Sequence, residues 1–307
     1  MARCFVTRQI PGPALDRLRA AHDVEVWPER LPPSRDQLIE HTEAAQGLLC
    51  MLTDRIDADL IIACPELKAI ANYAVGYDNI DVPAAHMRGI QVSNTPEVLT
   101  DATADLTFAL LMAAARRVTE AAASVAAGDW LTWEPARFLG QDVQSATLGI
   151  IGMGRIGRAV ARRASGFDMK VIHTRPDGLP LEDVLEQSDF LSLHCPLTPQ
   201  TRHMIDSAAL ARMKPTAILI NTARGAIIDQ AALTKALNEG TIAGAALDVT
   251  DPEPPDPQDP LLSAPNLVLV PHIGSATRSA RARMSDMAVD SLLATLAGEE
   301  MPHAVWD

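Results

Sequence analysis

Through the first hundred residues, short apolar runs alternate with stretches in which apolar side chains return every three or four positions. Residues 4–7, 24–27, 47–52, 68–72 and 90–93 form the runs, and 15–21, 35–41 and 57–63 carry the longer period. The runs are too short for helices, and their apolar positions are consecutive rather than alternate. A strand has that pattern when both of its faces are covered. Helices between such strands are the crossovers a parallel sheet requires. The pattern therefore predicts a parallel α/β domain.

The alternation restarts after residue 140, with strands predicted at 147–151, 170–173, 190–194, 217–221, 244–248 and 267–270. Six strands with helices between them fill a complete doubly wound sheet. Two longer helices flank this block. One starts at Asp101, a suitable N-cap, and runs to about Glu120; the other covers 277–297. The last strand of the block ends at Val270, so the final helix is placed back on the first domain. The resulting division is 1–98 plus 284–307 for one domain, with 99–283 inserted as the other. The proline-rich segment DPEPPDPQDP, residues 251–260, lies between two strands of one sheet and reads as a stiffened loop rather than a linker.

The first strand of the second block runs into Gly152-x-Gly154-x-x-Gly157, and a helical pattern follows directly. Gly152 permits a tight turn, Gly154 lets the backbone approach a pyrophosphate, and Gly157 allows close helix–strand packing. Arg155 and Ile156 open the helix whose N-terminus attracts the phosphates. A strand–turn–helix context around these glycines predicts dinucleotide binding. The fold class that follows is α/β with two doubly wound parallel-sheet domains, a Rossmann cofactor domain inserted into a flavodoxin-like substrate domain.

About twenty residues beyond the glycines, NAD binders place a carboxylate for the ribose hydroxyls. This chain offers His173, Thr174 and Arg175 instead. A guanidinium pairs with a 2′-phosphate where a carboxylate repels it. The expectation is NADP(H) in preference to NAD(H), with NAD(H) as second choice. The plain alternative for Arg175 is a solvated surface arginine.

Ligands of doubly wound sheets lie beyond the carboxyl ends of the strands. His194, Arg224, Asp248 and His272 fall at those ends, and Glu253 follows Asp248 on the stiffened loop. A hydride donor calls for a carbonyl acceptor, whose reduction needs a proton, charge stabilisation and an anchor. Histidine supplies the proton, and a carboxylate on its other nitrogen orients the ring and favours its charged form. Arginine grips a carboxylate beside the carbonyl and polarises the oxygen. Arg224, Glu253 and His272 thus suit the reduction of a 2-oxo acid. His194 is assigned to the strand end and the nicotinamide cleft rather than to catalysis. Asp248 either holds local structure or supports His272.

Composition narrows the partners. The 307 residues are 48% hydrophobic and carry a net charge of −13, with a pI near 5.0. Such a surface repels nucleic acid and anionic lipid. Cys4, Cys50, Cys64 and Cys195 form no C-x-x-C pair and no His/Cys cluster, so no metal site is expected and the thiols are read as reduced. The apolar run 108–115 is too short to span a bilayer, and the opening residues carry no apolar leader. A cytoplasmic protein is expected.

At these residues the chain resembles the D-2-hydroxyacid dehydrogenase family. GIIGMGRIG, INTARG, LDVTDPEP and PHIGSAT stand in the family's order, and NYAVGYDNID and NTPEVLTDATADLTFALLMAAAR match as well. The resemblance covers essentially the whole chain. It implies two α/β domains with a cleft between them, a homodimer, and Arg224, Glu253 and His272 as the catalytic set. It places a substrate loop on Ala74, Val75 and Gly76, whose N–H groups hold the substrate carboxylate. It also implies cofactor contacts at Thr103, His194, Cys195, Pro196, Thr222, Ala223, Asp248 and Gly274.

DWLTWEP, HIGSATRSARARM and the closing GEEMP are similar to the glyoxylate/hydroxypyruvate reductases of that family, a subgroup that commonly uses NADPH. In such enzymes the residue at Trp133 either shapes a neighbouring subunit's pocket or packs the dimer. The expected reaction is NADPH-dependent reduction of glyoxylate or hydroxypyruvate to glycolate or D-glycerate. The rivals are a broad 2-oxo acid reductase taking phenylpyruvate-type substrates, and a dinucleotide-sensing interaction protein with a vestigial site.

Overall fold

The computed structural model describes residues 1–174 and 178–306. Two units result: Met1–Leu99 joined by the segment from Ala276 onward, and Thr100–Ser275.

In the first unit, β1 (Arg3–Val6), β2 (Asp23–Val26), β3 (Gly47–Cys50), β4 (Ala69–Asn72) and β5 (Gln91–Ser93) run parallel in the order β2-β1-β3-β4-β5. This is the flavodoxin-like order, with its switch point between β1 and β3. Helices α1 (Ala14–Ala21), α2 (Arg35–Thr42), α3 (Ala58–Ala63) and α4 (Val82–Met87) make the crossovers. Ser34, Asp57 and Asp81 cap the last three, each accepting a backbone N–H with its side chain.

The second unit opens with α5 (Thr100–Ala115) and α6 (Val118–Ala126). A single helix from Asp101 to Glu120 was expected; the chain instead breaks at Arg117, which adopts φ 52°. The cause is the returning segment at Gly140–Gln141. Gln141 N–H donates to the Ala115 carbonyl at 2.8 Å, and a Cβ on Gly140 would lie 2.2 Å from that oxygen. The Ala115 carbonyl, which would accept the Thr119 N–H in a continued helix, is taken by this strap. Asp101 sits within the first turn rather than at the cap, and it pairs with Arg163.

β6 (Thr147–Ile151), α7 (Arg155–Ala164), β7 (Lys170–Thr174), α8 (Leu181–Gln187), β8 (Phe190–Leu193), α9 (Ser207–Arg212), β9 (Ile218–Asn221), α10 (Gln230–Glu239), β10 (Gly244–Leu247) and β11 (Leu267–Leu269) complete the unit. The sheet is parallel, in the order β11-β10-β9-β8-β6-β7. Successive side chains enter opposite core layers: Leu219 joins Leu191, Leu193 and Leu233 on one face, while Ile218 and Ile220 join Leu148, Ile150 and Phe190 on the other. Both faces are therefore apolar, as the consecutive runs required.

The last helix, α11 (Arg278–Leu296), belongs entirely to the first unit and starts at its Thr277 cap. Ala280, Met284, Ala288 and Leu292, four apart, are buried along one stripe. A boundary at 284 would cut this helix, so the division falls at Ala276 instead. Among the described residues no helix is long and apolar enough to cross a membrane, and no group of three His, Cys, Asp or Glu side chains could hold a metal.

Candidate active site

Strand register sets the site. Ile151, Leu193, Asn221, Leu247 and Leu269 are mutual partners across β6, β8, β9, β10 and β11. The strands therefore stop level, and Gly152, His194, Thr222 and Asp248, each one residue later, emerge along one edge of the sheet. On β6 the neighbours β7 and β8 lie on opposite sides, so the crossovers diverge at its carboxyl end.

The glycine loop fills that switch point. Gly152 has φ 98°, and a Cβ there would lie 2.4 Å from the Cys195 nitrogen. Only glycine fits between the turn and the segment after β8. Gly154 caps α7 without a side-chain acceptor, and among the described residues nothing lies within 4 Å of where its Cβ would be. The turn thus leaves room in front of the helix's positive end, which fits the pyrophosphate of a dinucleotide. At the end of β7, beside this turn, His173 Nδ1 is buried without a partner among the described residues, and Thr174 is half-buried. Arg175, the residue on which the 2′-phosphate expectation rests, lies outside the described residues.

His272 and Glu253 meet: Nδ1 stands 2.5 Å from Oε1, with the two side chains 22% and 29% exposed. His272 has φ 50°, and its N–H donates to the Asp248 carbonyl at 2.9 Å. Asp248 is nearly fully buried. Its carboxylate accepts the N–H groups of Ile273 at 2.6 Å and Gly274 at 2.8 Å. Burial pushes the Asp248 carboxyl up from its ordinary value, while those hydrogen bonds and the nearby His272 oppose the shift. Asp248 therefore bonds to the backbone after His272 and not to the ring.

Arg224 sits in the turn after β9. Asn221 closes that turn, accepting from Ala223 N–H at 3.0 Å and donating to the Arg224 carbonyl at 2.8 Å. The turn lies against the loop that carries Glu253, for a Cβ on Gly225 would fall 2.0 Å from the Thr250 carbonyl. Helix α5 braces the same region. Thr103 Oγ1 donates to the Gly274 carbonyl at 3.3 Å, and the Thr107 and Thr222 hydroxyls are 3.0 Å apart. The hydroxyls of Thr103 and Thr222 thus bond within the protein.

His194 is half-buried, with Nε2 2.8 Å from Ser192 Oγ, and desolvation of the ring pushes its pKa down to about 4. A ring that stays neutral there is no proton donor near neutral pH. Burial raises the neighbouring Cys195 thiol to about 11, so it is no nucleophile.

Val75 and Gly76 belong to the first unit, in the loop after β4. Their carbonyls accept from Asn94 Nδ2 at 2.7 Å and Asn72 Nδ2 at 2.8 Å. Neither asparagine was singled out from sequence, although both lie in motifs quoted above. Trp133 is 79% exposed, within a stretch that also exposes Trp130, Leu131 and Leu139.

A doubly wound unit with an open glycine turn, and a histidine–carboxylate pair at neighbouring strand ends, define an oxidoreductase that uses a nicotinamide dinucleotide. Residues 108–274 match the model for the D-isomer specific 2-hydroxyacid dehydrogenase NAD-binding domain. The chain is 51% identical to a glyoxylate reductase of Korarchaeum cryptofilum over 316 residues, covering 99% of this chain and 95% of that one. It resembles the crystal structure of the TT0316 protein from Thermus thermophilus, with TM-score 0.93, 50% identity and coverage of 99% and 100%. It also resembles an NADPH-dependent glyoxylate/hydroxypyruvate reductase from Sinorhizobium meliloti in complex with NADP and malonate, with TM-score 0.87, 34% identity and coverage of 99% and 96%. The protein belongs to the D-2-hydroxyacid dehydrogenase family.

Proposed function

We propose that this enzyme reduces glyoxylate or hydroxypyruvate with NADPH, giving glycolate or D-glycerate. The observation that carries the reading is the 2.5 Å His272–Glu253 pair on a strand end level with the glycine turn. The dinucleotide, when bound, supplies the hydride.

The chain's own groups do the rest. Gly152, Gly154, Arg155, Ile156 and Gly157 hold the pyrophosphate at the start of α7. Thr103, His194, Cys195, Pro196, Thr222, Ala223, Asp248 and Gly274 line the cofactor's path, and His173, Thr174 and Arg175 receive its adenosine end. Arg224 grips the acid group of the substrate and draws charge toward the carbonyl oxygen; Val75 and Gly76 offer backbone N–H groups to a substrate carboxylate. His272 gives its Nε2 proton to the oxygen as charge develops, while Glu253 holds the ring by Nδ1. The second unit thus carries the dinucleotide site and the Arg224–Glu253–His272 set, and the first contributes the Val75 and Gly76 donors.

The preference for NADPH rests on Arg175 and on the NADP bound by the Sinorhizobium relative. Glyoxylate as substrate is supported by the relatives that bear that name. A homodimer is supported by α6, none of whose residues is buried, and by the exposed Trp130, Leu131 and Trp133 that follow it. Trp133 then shapes the pocket of the neighbouring subunit or packs the interface. Four free cysteines accord with a reducing, cytoplasmic setting.

An absorbance assay at the nicotinamide band tests the reading, crossing NADPH and NADH with glyoxylate, hydroxypyruvate and phenylpyruvate. NADPH with one of the two small acids should give the highest kcat/KM. A preference for phenylpyruvate would assign a broad 2-oxo acid reductase, and no oxidation with any acid would sink the enzymatic reading.

A further inference from the structure

Two asparagines of the first unit, Asn72 and Asn79, are joined to each other and to two loops. Asn72, the last residue of β4, is fully buried. Its Nδ2 donates to the Gly76 carbonyl at 2.8 Å and to Asn79 Oδ1 at 3.2 Å. Asn79 Nδ2 donates to the carbonyls of Met51 at 3.1 Å and Asp54 at 3.0 Å, in the loop after β3. That loop is closed in turn by the Asp54 carboxylate, which accepts Met51 N–H at 2.7 Å and the Thr7 hydroxyl.

These bonds set the direction of backbone N–H groups. In a trans peptide the N–H points opposite to the carbonyl of the same unit. The Ala74 carbonyl is held by Thr95 N–H at 2.8 Å, which sets the Val75 N–H; the Val75 carbonyl is held by Asn94, which sets the Gly76 N–H. The Gly76 carbonyl is held by Asn72, which sets the Tyr77 N–H. Among the described residues, no protein acceptor receives the N–H of Val75, Gly76 or Tyr77. Three successive carbonyls are occupied and three successive donors are left for a ligand.

We propose that Asn72, held by Asn79, is a positioning residue for the substrate carboxylate: it fixes the 75–77 loop as an anion-binding set of backbone donors, with Tyr77 N–H as a third member. The proposal rests on the reading of that loop as the substrate's anchor.

Asn72→Asp provides the test, because a neutral carboxyl is nearly isosteric with the amide and can donate to the Gly76 carbonyl, whereas a carboxylate cannot. Burial raises the pKa of such a carboxyl, so it becomes protonated in the mildly acidic range while 2-oxo acids stay ionised. The KM for glyoxylate should rise about 10-fold or more at about pH 8 and recover toward wild type near about pH 5.5, with the NADPH dissociation constant unchanged; about 10-fold corresponds to about 1.4 kcal/mol. Oxalate binding to the NADP⁺-loaded protein, read by fluorescence, should follow the same pH course without requiring turnover. Asn79→Asp should weaken oxalate in the same direction.

A wild type that binds oxalate but reduces no 2-oxo acid would overturn the reductase reading alone, and the oxalate series would still decide this proposal. A wild type that does neither overturns both. Unchanged affinities in Asn72→Asp, a loss without acid recovery, or failure of both variants to fold would overturn the positioning role.

Discussion

Replacing Glu253 by Gln removes a charge while keeping the side chain's size. The carboxylate lies 2.5 Å from His272 Nδ1, and both groups are less than a third exposed. A hydrogen bond between charged partners contributes about 1.5–3 kcal/mol, and partial exposure favours the lower half of that range. At about 1.4 kcal/mol per decade, kcat/KM should fall about 10- to 40-fold. Glu253 lies on the loop between β10 and β11, whereas the glycine turn lies between β6 and α7, so NADPH affinity should not move. Initial rates of NADPH oxidation with glyoxylate, beside NADPH binding by fluorescence, read the two quantities separately. A Gln variant within about twofold of wild type in kcat/KM would refute the idea that this contact orients the proton donor.

Two further outcomes follow from the same strand ends. Gly152→Ala places a Cβ against backbone at positive φ, so it should cost roughly 1–3 kcal/mol and lower Tm by several degrees; Gly154→Ala meets open space and should fold normally but bind NADPH more weakly, and normal binding would refute the cradle. The His194 ring has its pKa depressed from 6.5 to about 4, so the unfolded chain takes up a proton that the folded state refuses. Stability should therefore be lost as pH falls from 6.5 and level off below about 4, by about 3 kcal/mol. In urea melts at about pH 7 and about pH 4.5, on either side of most of that loss, His194→Gln should lose less than wild type; equal losses would contradict the assignment.

The parallel sheets were legible because covered strands are apolar on consecutive positions, as Ile218, Leu219 and Ile220 illustrate by entering both core layers. Level strand ends then made His194, Asp248 and their neighbours readable as one edge. What escaped depended on contacts distant in sequence. The break at Arg117 is imposed by Gln141, which no periodicity near residue 117 reveals. The boundary at Ala276 reflects the burial of one whole stripe of α11, which the strand pattern alone does not locate. Asn72, Asn79 and Asn221 are polar residues at or just beyond the ends of apolar runs, and their partners lie in turns whose shape they help create. Arg175 was found by spacing alone, and its role is carried by the cofactor comparison in the assay above.

The most direct test of His272 as the proton donor beside a bound dinucleotide is the turnover of His272→Ala with NADPH and glyoxylate. A kcat lower by ~10²–10⁴ is expected, with an unchanged NADPH dissociation constant. Wild-type turnover in that variant would contradict the role.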